Sequence, residues 1–408
     1  MKVAILVVGF NVRPLARSAK KAGYRVLAVD FWGDLDLSQW SDEFIAVLEQ
    51  QPYERPDRPV IPTAEALVIG VKQLLEDQGP VDYIVASGGF DDHIDSWERL
   101  GTFGTLAGNS IEGMKRARDP HLTREVALRY GAEVPTTYEV TNGNQFESAA
   151  NNLDLPFLVK PLRGSGGFHS RIIRSELEIK RYLSHHRFSV EDPILAQELI
   201  QGTDASVSLL GTGKQAVTLS VNEQLIGLPE LGKGRTKAYC GNIIPLQANT
   251  ETLSYLEEIS KGMCQHLNLK GSNGIDYVID ESGTPYFMEI NPRIQATIEA
   301  IELVTNANIV NLHIDAFNQI LPDSIPSPQA VCARVIVYAQ ESSIIPDLRN
   351  VPGVVDIPIP GSVSSRGDPV CTVNHVAATR QEAFSGAWEI VKTIYSHLRP
   401  TPTQSEEE

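Results

Sequence analysis

Two short apolar runs joined by a polar tetrapeptide constrain this chain more than any other feature. They read Asn273-Gly-Ile-Asp-Tyr-Val-Ile-Asp280, then Glu281-Ser-Gly-Thr284, then Pro285-Tyr-Phe-Met-Glu-Ile-Asn-Pro-Arg293. Alternating or continuous apolar runs around a short Gly-containing connection predict a β-hairpin. Pairing Asp280 with Pro285 sets Asp276 opposite Glu289, and Asn291 follows on the face of Glu289. Facing carboxylates lie ~4.5–5.5 Å apart at Cβ and repel. A divalent cation removes that conflict, and Asp276, Glu289 and Asn291 supply the hard oxygen ligands that suit Mg²⁺. Arg293 adds a forked cation able to hold a phosphate or carboxylate beside the metal. A plain solvated hairpin face is the competing reading, and the facing Asp argues against it.

The chain has 408 residues, 42% hydrophobic and 21% charged, which predicts two to four globular units with ample core. Its formal charge of −16 disfavours a nucleic-acid or anionic-membrane partner. An anionic small molecule stays possible wherever Lys and Arg cluster locally. Cys240, Cys264, Cys332 and Cys371 are widely spaced with no His in ligand spacing, so reduced thiols and a cytoplasmic location are expected. The run Val3–Val8 lacks a cleavage site and reads as a buried strand. No apolar stretch approaches the ~18 residues of a bilayer span.

Strand and helix patterns alternate through the first third: an apolar run over 3–8, a helix from near Pro14, the strand Arg25–Asp30, helical spacing over 64–75, and the strand 82–86. That alternation predicts a parallel sheet covered by helices, with ligands at the carboxyl ends of its strands. Asn11, Arg13, Asp30 and the loop Ser87–Asp92 become pocket candidates. A dinucleotide fold would need Gly-x-Gly-x-x-Gly after the first strand. Here Gly9 is followed by Phe-Asn-Val-Arg-Pro14, which argues against NAD. The expected units are 1–110 (α/β), 111–202 and 203–322 (both α+β), 323–400 (a C-terminal α+β segment) and a disordered tail over 401–408.

A second phosphate signal lies at Leu158-Val-Lys-Pro-Leu-Arg-Gly-Ser-Gly-Gly-Phe-His169. Lys160 ends a strand and runs into a loop holding Gly164, Ser165, Gly166 and Gly167. Backbone N–H groups of such a loop can converge on phosphate oxygens. It is not a Walker loop, because a strand follows it instead of a helix. Gln197, Glu198, Leu199 and Ile200 then close a strand whose edge can present backbone to adenine, with Asp204 placed for ribose hydroxyls.

A Lys strand with a Gly-rich lid, a Gln-Glu-Leu-Ile connector and an Asp/Glu/Asn hairpin with Arg, in this order, resemble the ATP-grasp superfamily. The nearest likeness is to archaeal-type, uncharacterised carboxylate–amine ligases related to biotin carboxylase. Val7–Pro14 and Phe31-Trp-Gly-Asp-Leu-Asp36 are similar to that group's opening. The resemblance implies an ATP-grasp fold behind a Rossmann-like parallel-sheet domain. It implies ATP with Mg²⁺ (or Mn²⁺) held by Asp276, Glu289 and Asn291. Lys160 would contact phosphate, residues 164–167 would close over the β- and γ-phosphates, residues 197–200 would hold the base, and Arg293 would bind the transferred phosphoryl group. Two departures stand out. Many family members carry a Lys where this chain has Asp119-Pro-His121, a contact that Lys115 or Arg118 could supply. Carboxylating members follow the metal strand with Gln-Val-Glu-His; here Thr297 stands at the Glu position and Glu299 lies two residues on.

The implied reaction activates a carboxylate as an acyl phosphate, with ADP released and an amine attacking. Carboxylation through carboxyphosphate is the alternative, and a nucleotide-binding module without turnover is a third reading. The segment Gly227–Asn242 places Lys233, Arg235 and Lys237 among glycines in an acidic chain, so an anion-binding flap competes there with a solvated basic loop. The resemblance leaves room for a homodimer.

Overall fold

The computed structural model describes residues 2–164, 166–167, 169–231 and 237–401. The N-terminal strands β1 (Ala4–Gly9), β2 (Arg25–Asp30), β3 (Glu43–Ala46), β4 (Tyr83–Ala86) and β5 (Leu106–Ala107) form one parallel sheet in the order β3-β2-β1-β4-β5. β1 is buried throughout because helices cover both faces of the sheet. The helix Arg13–Lys21 starts directly after β1, with Pro14 in its first turn where a missing N–H costs nothing. The turn after β2 needs a glycine: Gly33 has φ +70°, and a Cβ there would stand 2.4 Å from that of Ala46. Asp34 follows this turn.

A small antiparallel sheet comes next, built from β6 (Thr137–Val140), β7 (Phe157–Pro161), β8 (Arg171–Ile173) and β9 (Ile194–Glu198) in the order β6-β9-β7-β8. Helices Gly143–Asn152 and Glu176–His185 pack on it around Phe146 and Phe157. β9 is flanked on both sides, so its own backbone is consumed by the sheet. The expected edge for a base therefore shifts to the connector Leu199–Ile200, just beyond the strand.

The third sheet is antiparallel and eight-stranded. It holds β10 (Thr203–Thr212), β11 (Ala216–Ile226), β12 (Tyr239–Ile244), β13 (Lys270–Ile279) and β14 (Pro285–Asn291). After β14 come β15 (Val331–Tyr338), β16 (Ser343–Ile344), β17 (Val354–Val355), β18 (Val363–Ser364), β19 (Pro369–Ala377) and β20 (Arg399–Pro400). The order is β14-β13-β10-β11-β12-β15-β19-β17, while β18, β16 and β20 make a separate small sheet. Residues 331–377 thus extend the sheet that carries the hairpin, because β12 pairs with β15. The last helix, Arg380–His397, begins with a capping box between Thr379 and Glu382 and covers β15 and β19.

Candidate active site

The hairpin forms, with one refinement. Ile279, not Asp280, pairs with Pro285, while Asp276 still faces Glu289 because the register shifts between Asp276 and Tyr277. Asp280 instead builds the turn, accepting from the backbone N–H groups of Ser282 and Thr284 at 2.9 Å each. The bulge that absorbs the shift re-aims the strand next to the acidic pair, a common role for bulges.

Asp276 is buried, and its Oδ2 accepts from the Asn291 amide at 2.9 Å. Its Oδ1 is buried and makes no hydrogen bond of ordinary geometry among the described residues. Burial first, then the Glu289 carboxylate, pushes Asp276 up to about 8; Gln224, Asn291 and Arg293 oppose this. An orphaned carboxylate oxygen, a facing Glu and an amide oxygen fit a divalent cation. Asp276, Glu289 and Asn291 are the residues that would hold it.

These side chains line a cavity of about 820 Å³ bounded by the loops after β1 and β4, the small antiparallel sheet β6-β9-β7-β8, the eight-stranded sheet and β18. Lys160, Gly164, Gly166, Gly167, Asp204 and Lys237 line it too, as do Gln197, Glu198, Leu199 and Ile200. Burial pulls the Lys160 ammonium below its usual range, Glu289 opposes, and Arg124, Lys237 and Arg118 add to the fall. A group of cations crowded around one acid in a net-acidic chain is a site prepared for phosphate oxygens. Asp204 is raised by burial, with Lys237 acting against it. The Gln197 amide donates to Thr137 Oγ1 at 2.9 Å, so its side chain is spent on the sheet.

Arg293 is held from the opposite domain. Its Nε donates to both oxygens of Asp91, at 2.9 and 3.0 Å, and Nη2 donates to Asn291 Oδ1 at 3.2 Å. Burial alone would raise Asp91, yet the Arg293 and Arg118 guanidiniums hold it below the usual carboxylate range. Asp92 next door accepts from Arg118 at 2.6 and 3.0 Å and from the Gly164 N–H at 2.9 Å. The Ser87–Asp92 loop therefore positions both the hairpin arginine and the start of the glycine loop. Arg118 lines the cavity, whereas Lys115 is exposed and faces Glu112, so Arg118 is the cation available where relatives carry Lys. Asp119 caps the helix Pro120–Arg129 instead, accepting from the His121 and Leu122 N–H groups.

The glycine loop packs on the flap. Gly166 and Gly167 have φ of +67° and +71°, and a Cβ on Gly167 would stand 1.8 Å from the Lys237 carbonyl oxygen. Ser165, Lys233 and Arg235, and the tail beyond residue 401, lie outside the described residues.

Arg13 does not reach the cavity. It is 1% exposed, donates from Nε to Asp356 at 2.6 Å, and grips both oxygens of Glu299. Its position at a strand end suggested a ligand contact; three acids from distant segments claim it, since Asp36 also lies within 3.4 Å. Asp30 is likewise structural: its carboxylate accepts from the N–H groups of Val12, Trp32 and Gly33 and ties the two loops together. Asn11 does line the cavity. Sequence reasoning passed over Asp34, Tyr239 and Arg334 as lining residues. Asp34 sat in a quoted motif without a role, and Arg334 carries no local signal within an apolar strand.

Residues 121–297 match the ATP-grasp domain family. Over these residues the chain is similar to ATP-grasp domains. An uncharacterised protein of Methanocaldococcus jannaschii is 27% identical over 372 residues, 90% of this chain and 87% of that protein. Among solved structures, N5-carboxyaminoimidazole ribonucleotide synthetase in its ADP complex superposes with a TM-score of 0.70 at 16% identity, covering 97% of each chain. An L-amino acid ligase from Bacillus licheniformis gives 0.68 at 18% identity, covering 98% of this chain and all of the other. The ATP-grasp arrangement expected from the three ordered motifs, behind a parallel-sheet domain, is the fold of this chain.

Proposed function

We propose that the protein is an ADP-forming carboxylate–amine ligase that activates an acid as an acyl phosphate. ATP would bind with its base at Leu199–Ile200 and its phosphates under residues 164–167, near Lys160 and Arg118. Mg²⁺, or Mn²⁺ with the same oxygen preference, would sit on Asp276, Glu289 and Asn291 and supply charge neutralisation at the phosphates. The acid would lie beside Arg293, whose Nη1 and Nη2 each donate once, to the Ile294 carbonyl and to Asn291 Oδ1, and each keep one N–H for a developing phosphoryl charge. Catalysis of such a transfer is mostly positioning and electrostatics, which this wall of cations supplies.

The observation that favours an amine acceptor over bicarbonate is the fate of the acids after the metal strand. A bicarbonate enzyme needs a base within ~2.6–3.2 Å of its substrate. Thr297 lines the cavity at that position and shares its hydroxyl with Ser208 at 3.2 Å. Glu299, on the helix Ile298–Thr305, is turned into the protein and bound by Arg13 and Arg17. Glu302 is spent on Ser18, Arg17 and the Ile309 N–H. Measuring ADP release over paired acids and amines, with and without bicarbonate, tests it: dependence on the pair supports the ligase, and stimulation by bicarbonate alone supports the carboxylase.

A further inference from the structure

The cavity has a second end, away from the hairpin, at the carboxyl ends of β1 and β2. Phe10 and Asn11 follow β1; Trp32 and Asp34 follow β2; all four line the cavity. Phe10 stacks on Phe31 with centroids 4.8 Å apart and meets Trp32 edge-on at 5.4 Å, which makes a rigid aromatic corner.

The acids around this corner differ sharply in their partners. Asp30 is satisfied by three N–H groups, and Asp36 by the N–H groups of Asp356 and Ile357. Asp356 is held by Arg13 and Arg334. Asp34 is 7% exposed, opens on the cavity, and its side chain has no hydrogen bond or ion pair among the described residues. Burial and the nearby Asp30, Asp356 and Asp36 carboxylates hold it well above the usual carboxylate range, with Arg13 opposing. Asn11 shows the same lack: its amide oxygen is buried without a donor. The Asn11 oxygen and the ionised form of Asp34 are acceptors, so a partner at these two groups must donate hydrogen bonds, and a cation would favour the ionised carboxylate. The unmet guanidinium donors in this cavity, Arg334 Nε and Nη1, belong to the residue that holds Asp356. The neighbouring Asp30, Asp36 and Asp356 are already taken up by N–H groups and guanidiniums, which leaves one carboxylate and one amide oxygen here, fewer oxygens than a bound metal takes. Aromatic faces next to a carboxylate suit an organic ammonium.

We infer that the Asp34–Asn11 corner is a subsite for a protonated primary amine on a small-molecule substrate, and that Asp34 determines specificity for it. This deepens the ligase reading, on which it depends only for calling the bound amine a substrate. The amine would be recognised here as a cation. In an amine that carries one nitrogen, that group must surrender its proton before attack; in a diamine or amino acid, the docked group can be the one that does not react.

The test is calorimetric titration of the full chain, saturated with ADP and Mg²⁺, against amines and alcohols of matched shape. Suitable pairs are glycine and glycolate, β-alanine and 3-hydroxypropionate, and putrescine and 1,4-butanediol. At least one amine should bind about tenfold or more tightly than its alcohol, and Asp34→Asn should erase that preference while ADP affinity stays within about twofold. Asp34→Ser, smaller and equally neutral, is run beside it in case the amide packs badly. Equal binding of every amine and its alcohol by the wild type, or a preference that survives both variants, overturns the subsite. ADP release that requires an acid and an amine, yet with unchanged amine KM in both variants, would overturn it and leave the ligase standing. Loss of acid-dependent ADP release with the Asp34 preference intact would do the reverse.

Discussion

Two charged clusters sit on either side of the β14-to-helix junction, and they differ in whether their carboxylates are met. On the cavity side, Asp276 and Glu289 face one another with an orphaned oxygen, and Arg293 is anchored by Asp91 at Nε while its outer nitrogens keep one N–H each. On the buried side, six residues on, Glu299 is clasped by Arg13, which also holds Asp356, which in turn meets Arg334. The first cluster is unsatisfied alone and needs a ligand. In the second the carboxylates of Glu299 and Asp356 are met by guanidiniums, although Arg334 keeps Nε and Nη1 unpaired among the described residues, and it joins the N-terminal domain, the helix after the hairpin and the C-terminal strands. The lesson is about availability: a guanidinium binds substrate only if its counter-charges leave N–H groups over.

Breaking the comparison from the cavity side should produce the largest effects. Glu289→Gln and Asn291→Ala should lower ATP turnover by at least about 10²–10³-fold, the scale of losing one preorganised electrostatic contact. Circular dichroism and melting should stay near wild type, because these side chains serve a metal rather than the core. Wild-type turnover with Mg²⁺ present would remove the metal assignment.

From the buried side the effect should invert. Arg13→Met leaves Glu299 and Asp356 short of a partner, a change on the order of 3–5 kcal/mol for a broken buried pair. Denaturant unfolding should report that loss. A variant equally stable to wild type would mean that the seam is not what joins the domains.

The acidic pair itself gives a pH signature. Within it, burial and the facing Glu289 push the Asp276 carboxyl up to about 8 in the folded state, above the ordinary carboxylate value, so the folded state holds that extra proton. Stability from this group is complete at low pH and is lost as pH rises toward 8. Without metal, wild type should therefore lose ground to Asp276→Asn as pH climbs from about 5 to 9, and Mg²⁺ should narrow the gap. Parallel melting curves for the two proteins across that range would contradict the assignment. A smaller contrast separates Lys115, in the helix Ile111–Ala117, from Arg118, which follows its end: Arg118→Ala should weaken ADP binding several-fold, whereas Lys115→Ala should change it by less than about twofold.

How much of this was legible in the sequence depends on whether the signal was local. The hairpin acids announce themselves because strand periodicity places them on one face, and the tolerance of β-bulges let Asp276 meet Glu289 although the turn was read one residue off. The glycines after Lys160 likewise mark a loop that must approach other backbone. Arg13 misled because a residue at the carboxyl end of a parallel strand faces either the ligand or the next domain, and only the partners decide. Those partners, Glu299 and Asp356, are 286 and 343 residues away in the chain. The same distance hid Asp91 as the anchor of Arg293 and left Asp34 without a role, since what marks it is a side chain with no hydrogen bond or ion pair among the described residues.

The most direct test of the account is a phosphate- and ADP-release assay on the full chain with ATP and Mg²⁺, over a matrix of small carboxylic acids and amines, with bicarbonate as a separate arm and products read by mass spectrometry. The account predicts ADP formation that requires one acid and one amine together, yields their condensation product, and is indifferent to bicarbonate. Stimulation by bicarbonate alone, abolished by Glu299→Gln, would contradict it, because it would make an acid locked against Arg13 the working base.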